Sequence, residues 1–78
     1  MHTVNEILDL IAEVKPGLRP DPDAELIKSG LLDSVDIMSL VLALDNTFDI
    51  EITPMELREE NFRSAETILT MVHELEEA

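Results

Sequence analysis

The chain has 78 residues, 45% of them apolar, and a formal charge of −13 from eighteen acids against five bases, which allows one domain over residues 1–78 with a thin core and marginal stability. Such a negative field, with no basic stripe or interleaved aromatics to offset it, excludes a nucleic-acid partner and steers basic proteins in. The lack of cysteine excludes disulfides, thiolate catalysis and Cys-based zinc sites. No apolar run approaches the roughly 18–20 residues of a membrane span, and none follows a charged leader, so a soluble, cytoplasmic, complete chain is expected; nothing in the sequence calls for a stable oligomer, and a monomer is expected.

Thr3 and Glu6 open the first segment as a capping box. Val4, Ile7, Leu8, Ile11 and Val14 then recur on one helical face until Pro16-Gly17 ends it. A long connection over 15–33 follows, rich in proline. A loop of that length needs tying down, and Leu18, Leu26, Ile27, Leu31 and Leu32 are the residues that can enter the core. A helical turn over 23–28, terminated by Gly30, is expected within it.

The second helix runs from about Ser34 to Thr47. Ser34 and its flanking aspartates are good first-turn caps, so a cap is the plain reading of Ser34. At about 100° per residue, Ile37, Leu40, Val41, Leu44 and Phe48 share one stripe. Val35, Met38 and Leu42 make a second apolar line beside it. A helix buried on two sides and a partly exposed recognition strip both fit that second line.

Phe48-Asp49-Ile50-Glu51-Ile52 alternates too briefly for a strand and reads as a loop. Thr53-Pro54-Met55-Glu56 is a further start signal, opening a short helix that ends near Asn61. Ser64 caps the last helix, where Ala65, Ile68, Leu69, Val72 and Leu75 repeat the core period. The expected fold is all-α: a small bundle of three longer helices and one short one.

Little of this carries catalytic chemistry. Asp45, Asp49 and Glu56 fall at calcium-loop positions 1, 5 and 12, but Ile50 stands where such a loop needs glycine. His2 and His73 lie at opposite ends with no metal-ligand spacing, and His73 reads as one half of a helical ion pair with Glu77. Met38, Met55 and Met71 read as core filler. With no phosphate loop and no nucleophile–base pair, the chain looks more like a substrate than an enzyme.

The run Gly30-Leu31-Leu32-Asp33-Ser34-Val35-Asp36-Ile37-Met38-Ser39-Leu40-Val41-Leu42-Ala43-Leu44, followed by Phe48-Asp49, resembles the acyl carrier protein family. The likeness extends from the first helix to Ile68 and Leu69 in the last. It implies an acyl-carrier-like bundle in which Ser34 bears 4′-phosphopantetheine, transferred from coenzyme A by a phosphopantetheinyl transferase. The thiol that the chain lacks would then come from the prosthetic group, carrying acyl or aminoacyl cargo as a thioester. A phosphodiester there would sit at a helix N-terminus, where backbone N–H groups and the macrodipole favour negative charge.

The same resemblance implies that Asp33 and Asp36, with Val35, Met38 and Leu42, meet partner enzymes: a loading enzyme and a downstream synthase or transferase. Ser39 and Asn46 stand where fatty-acid carriers usually have acids. The Leu-Leu-Asp-Ser run differs from many fatty-acid and peptidyl carriers and looks closer to D-alanyl carrier proteins and specialised free-standing carriers, which implies a dedicated carrier outside or alongside core fatty-acid synthesis, with fatty-acid, polyketide and aminoacyl pathways all open. Two other classes remain. An acidic interaction domain without prosthetic group predicts that Ser34→Ala costs only a cap, about 0.5–2 kcal/mol. A calcium-responsive module predicts stabilisation by calcium through mass action.

Overall fold

The computed structural model of the chain describes residues 2–77. Helix α1, Val4–Val14, buries Ile7, Leu8, Leu10 and Ile11, so the expected face is right and Leu10 widens it. Pro16 lacks the N–H that would continue the ladder, and Gly17 turns the chain away at φ +86°. The capping box does not form at the start. Thr3 is the N-cap but its side chain makes no cap hydrogen bond: the Glu6 N–H donates to Thr3 O at 3.1 Å instead, and the Glu6 carboxylate turns to His2 Nδ1 at 3.0 Å.

The connection between α1 and the next helix is held by backbone hydrogen bonds as well as by apolar anchors. Leu26 is fully buried, and its N–H donates to Arg63 O at 2.8 Å. Its own carbonyl accepts the N–H of Leu32, another core residue. Glu66 N–H donates to Pro22 O at 3.1 Å, joining the loop to the start of the last helix. Leu18, Ile27 and Leu31 pack against the core while partly exposed. The helical turn expected over 23–28 is absent, since both peptide groups of Leu26 are committed to these long-range bonds. A tight turn over 27–30 replaces it, closed by Gly30 N–H on Ile27 O, with Gly30 at φ +80°.

Helix α2, Ser34–Phe48, buries Leu40, Val41, Leu44 and Phe48, with Ile37 at the core edge. It ends at Phe48, one residue later than expected, and its C-cap Asp49 adopts the left-handed conformation (φ 53°, ψ 51°) that aspartate tolerates better than most side chains. Asp45 Oδ1 then accepts the Ile52 N–H at 3.0 Å and folds the 49–53 loop back on the helix. Glu56 is likewise committed, to Thr53. Two of the three acids of the calcium-loop candidate therefore serve the backbone, and no group of three metal-ligating side chains forms among the described residues.

The short helical segment is split. Two single 3-10 turns, Pro54–Glu56 and Glu59–Asn61, replace one continuous short helix. The Thr53–Glu56 box does form, with Glu56 Oε1 accepting the Thr53 N–H at 2.9 Å. Past it the segment offers no helical apolar face to bury: Met55 and Leu57 are exposed and only Phe62 reaches the core. A short helix without such a face is not stable.

Helix α3, Ala65–Glu77, buries Ala65, Ile68, Met71 and Val72. Ser64 caps it as expected: its Oγ accepts the Thr67 N–H, and Thr67 Oγ1 accepts the Ser64 N–H at 3.0 Å. Helix α1 packs on both α2 and α3, so the result is an all-α bundle of three helices with no strand among the described residues.

Met71 is buried and fills the core, whereas Met38 and Met55 are exposed and do not. The ion pair expected of His73 does not form. Its Nε2 is buried and has no partner among the described residues. His2 makes the pairing instead, to Glu6 and to Glu76 at 2.7 Å, with its ring edge-on to Phe48. Folding thus brings the two histidines from opposite chain ends to one surface hollow.

Candidate functional site

Ser34 is the first residue of α2, but it is not the cap. Asp33 holds that position: its Oδ1 accepts the Asp36 N–H at 2.9 Å, and Asp36 Oδ2 accepts the Asp33 N–H at 3.2 Å. This reciprocal box satisfies the end of the helix from both sides. Ser34 stays exposed and free of capping duty. The reading of Ser34 as a cap was one residue out of register, because extended backbone at Asp33 (φ −101°, ψ −176°) makes the aspartate, not the serine, the half-in residue.

A third group secures the corner. Lys15, the C-cap of α1, donates from Nζ to Leu31 O at 3.0 Å and to Asp36 Oδ2 at 3.3 Å. The Asp33 N–H, and to a lesser degree Lys15, holds the Asp36 carboxyl below its ordinary pKa. Asp36 is therefore a charged group already engaged inside the molecule. No sequence signal links Lys15 to Asp36, since they are 21 positions apart.

The second apolar line of α2 is exposed: Val35 at 72%, Met38 at 54% and Leu42 at 64%. Burial of the helix on two sides is ruled out, and a solvent-facing apolar strip begins next to Ser34. Met55 and Leu57 add exposed apolar surface from the split segment.

Ser34 also lines a cleft of about 540 Å³ between α2 and the 57–62 segment. Ile27, Leu32, Ile37, Met38, Leu57 and Phe62 form its apolar lining, and Asp33, Arg58 and Glu59 are the charged residues on it. Leu57, Arg58, Glu59 and Phe62 were not singled out in the sequence. They lie in the segment with the weakest helical pattern, where spacing carries no signal. A serine at a helix start, on a mostly apolar cleft that one cation also lines, suits a phosphodiester followed by an extended organic arm.

Comparison with known proteins gives the family. A family model described as "Phosphopantetheine attachment site" matches residues 5–75. The D-alanyl carrier protein of Bacillus subtilis (strain 168) is 34% identical over 77 residues, spanning 96% of this chain and 99% of that one. The D-alanyl carrier protein of Staphylococcus saprophyticus is 30% identical over the same length and shares. Among solved structures, a chain in the crystal structure of a Bradyrhizobium japonicum glycine:[carrier protein] ligase complexed with glycylated carrier protein superposes with a TM-score of 0.72 at 32% identity, covering 87% of this chain and 95% of that chain. The chain belongs to the phosphopantetheine-binding carrier protein family, whose members carry acyl or aminoacyl groups on a covalently attached 4′-phosphopantetheine arm.

Proposed function

We propose that Ser34 is the attachment point of the arm and that the cargo is a small aminoacyl group, held as a thioester and passed between enzymes. The observation that carries the first half is the register of the α2 cap. Asp33 and Asp36 satisfy the helix start between them, leaving Ser34 exposed beside an apolar cleft. The second half is supported by the relatives, which are D-alanyl carriers and a structure containing a glycylated carrier. The chain itself performs no bond-making chemistry in this reading. A phosphopantetheinyl transferase installs the arm, an aminoacyl-loading ligase charges it, and a downstream transferase unloads it.

Asp33, Val35, Asp36, Met38 and Leu42 form the partner-facing surface. The exposed strip Val35-Met38-Leu42 supplies the apolar contact. Asp33 and Asp36 supply negative charge near Ser34, complementary to basic partners. Because Lys15 covers part of Asp36, the charge presented there is weaker than the sequence alone suggests.

The test is intact mass after incubation with coenzyme A and a broad-specificity phosphopantetheinyl transferase, followed by loading. The wild-type protein gains one phosphopantetheinyl group and Ser34→Ala gains none. The holo form then accepts D-alanine or glycine from an adenylating ligase faster than malonyl from a fatty-acid malonyl transferase. No mass gain, with the transferase active on another carrier, refutes the attachment site and leaves an acidic interaction domain. Malonyl loading at the rate of a regular fatty-acid carrier refutes the aminoacyl cargo alone.

A further inference from the structure

Three of the residues lining the cleft beside Ser34 are charged, and two of them, Asp33 and Glu59, are acids. A phosphodiester on Ser34 enters a chain that already carries −13, between carboxylates that repel it. Arg58 is the one cation on that lining. It belongs to the stretch between the two 3-10 turns, where its N–H donates to Glu56 O at 2.8 Å. Its guanidinium is paired with Glu60, two residues on, at 3.0 Å. Both side chains of that pair are mostly exposed, 64% and 62%, so water and salt screen it and it contributes little. Guanidinium binds a phosphodiester through two parallel N–H donors, a geometry that a neighbouring carboxylate on a short turn holds no better.

We propose that Arg58 exchanges Glu60 for the arm's phosphate and so fixes the arm over the apolar lining formed by Ile37, Leu57 and Phe62. This rests on Ser34 as the attachment point. Arg58 is a positioning residue here, since the thioester chemistry takes place at the far end of the arm. The exchange also gives the split segment a reason to be split: two single turns let residues 57–62 move onto the arm, which a continuous helix would resist.

The test compares amide hydrogen exchange over residues 57–62 in the apo and holo forms of the full chain, after mass mapping has located the added group on Ser34. In the wild type, attachment slows exchange in this segment severalfold, and high salt removes most of the slowing. Arg58→Gln abolishes the difference between apo and holo, while Arg58→Lys retains part of it. Equal slowing in holo Arg58→Gln, or no slowing in the wild type, overturns the role of Arg58 and leaves Ser34 as the attachment point. Absence of any added group on Ser34 overturns both. Circular dichroism of apo Arg58→Gln, expected to match the wild type because the side chain is exposed, confirms that the variant is folded.

Discussion

The Lys15 ammonium lies 3.3 Å from Asp36 Oδ2, the same oxygen that accepts the Asp33 N–H. One carboxylate therefore closes the cap of α2 and tethers α2 to the end of α1. Lys15 also holds Leu31 O at 3.0 Å, so the last residues of the long connection are fixed by the same cation. Lys15→Met removes both bonds. The pair is only partly buried, so the melting temperature falls by no more than about 4 °C. Amide exchange over residues 31–36 accelerates, and raising the salt reproduces part of that acceleration in the wild type. Unchanged exchange in that segment would show that the tether does not order the cap.

The cap at Asp33 and the proposed attachment at Ser34 fall on adjacent residues, and three substitutions separate them. Asp33→Ala removes the side-chain acceptor and costs about 1 kcal/mol, or about 4–8 °C in a domain of this size. Asp33→Asn keeps an acceptor and most of the stability. Ser34→Ala, at an exposed first-turn position, changes stability by less than about 0.5 kcal/mol yet abolishes phosphopantetheinylation. Thermal melts and intact masses of the three variants check this. A Ser34→Ala loss as large as that of Asp33→Ala would mean that the serine shares the cap.

The apolar strip is separable from the core. Met38→Glu and Leu42→Glu fall on exposed positions, so each shifts stability within about 0.5 kcal/mol. Each is expected to lower the loading enzyme's kcat/KM by about tenfold, the effect of losing one central apolar contact. Steady-state loading kinetics with the holo variants provide the check; normal kinetics for both would move the docking surface away from α2.

Stability depends on pH through groups on opposite flanks. His2 is raised above its ordinary 6.5, chiefly by hydrogen bonding to Glu76 and then to Glu6. A raised value in the folded state contributes stability that is complete below 6.5 and is lost as pH rises through the folded value. Asp36 is lowered from 3.8 by the Asp33 N–H and by Lys15. Glu56 is lowered from 4.5 by the Thr53 hydroxyl and N–H. Their contributions are complete above those ordinary values and are lost as pH falls through the depressed ones. Melting temperature against pH therefore declines on both sides of a weakly acid plateau. His2→Gln flattens the upper flank and leaves the lower one in place.

Helix periods, cap residues and Pro/Gly punctuation act over three or four positions, so they are legible in the sequence. They placed α1, α2, α3 and the Ser64 cap, together with the core face of each helix. The place of Ser34 at the start of α2 was legible for the same reason, and its role as the attachment point remains the proposal made above. Other features depend on which groups meet across the bundle, and only the tertiary structure decided them. Glu6 left its predicted box because His2 competes for it. The turn over 23–28 gave way because Leu26 bonds to Arg63 O and Leu32 N–H, 37 and 6 residues away. The exposure of Val35, Met38 and Leu42 follows from α1 and α3 covering the other stripe of α2. The cleft that joins Ser34 to Arg58 and Phe62 spans 28 positions of sequence. A local pattern determines which residues share a helix face; which of two apolar faces is buried depends on the neighbours the fold supplies.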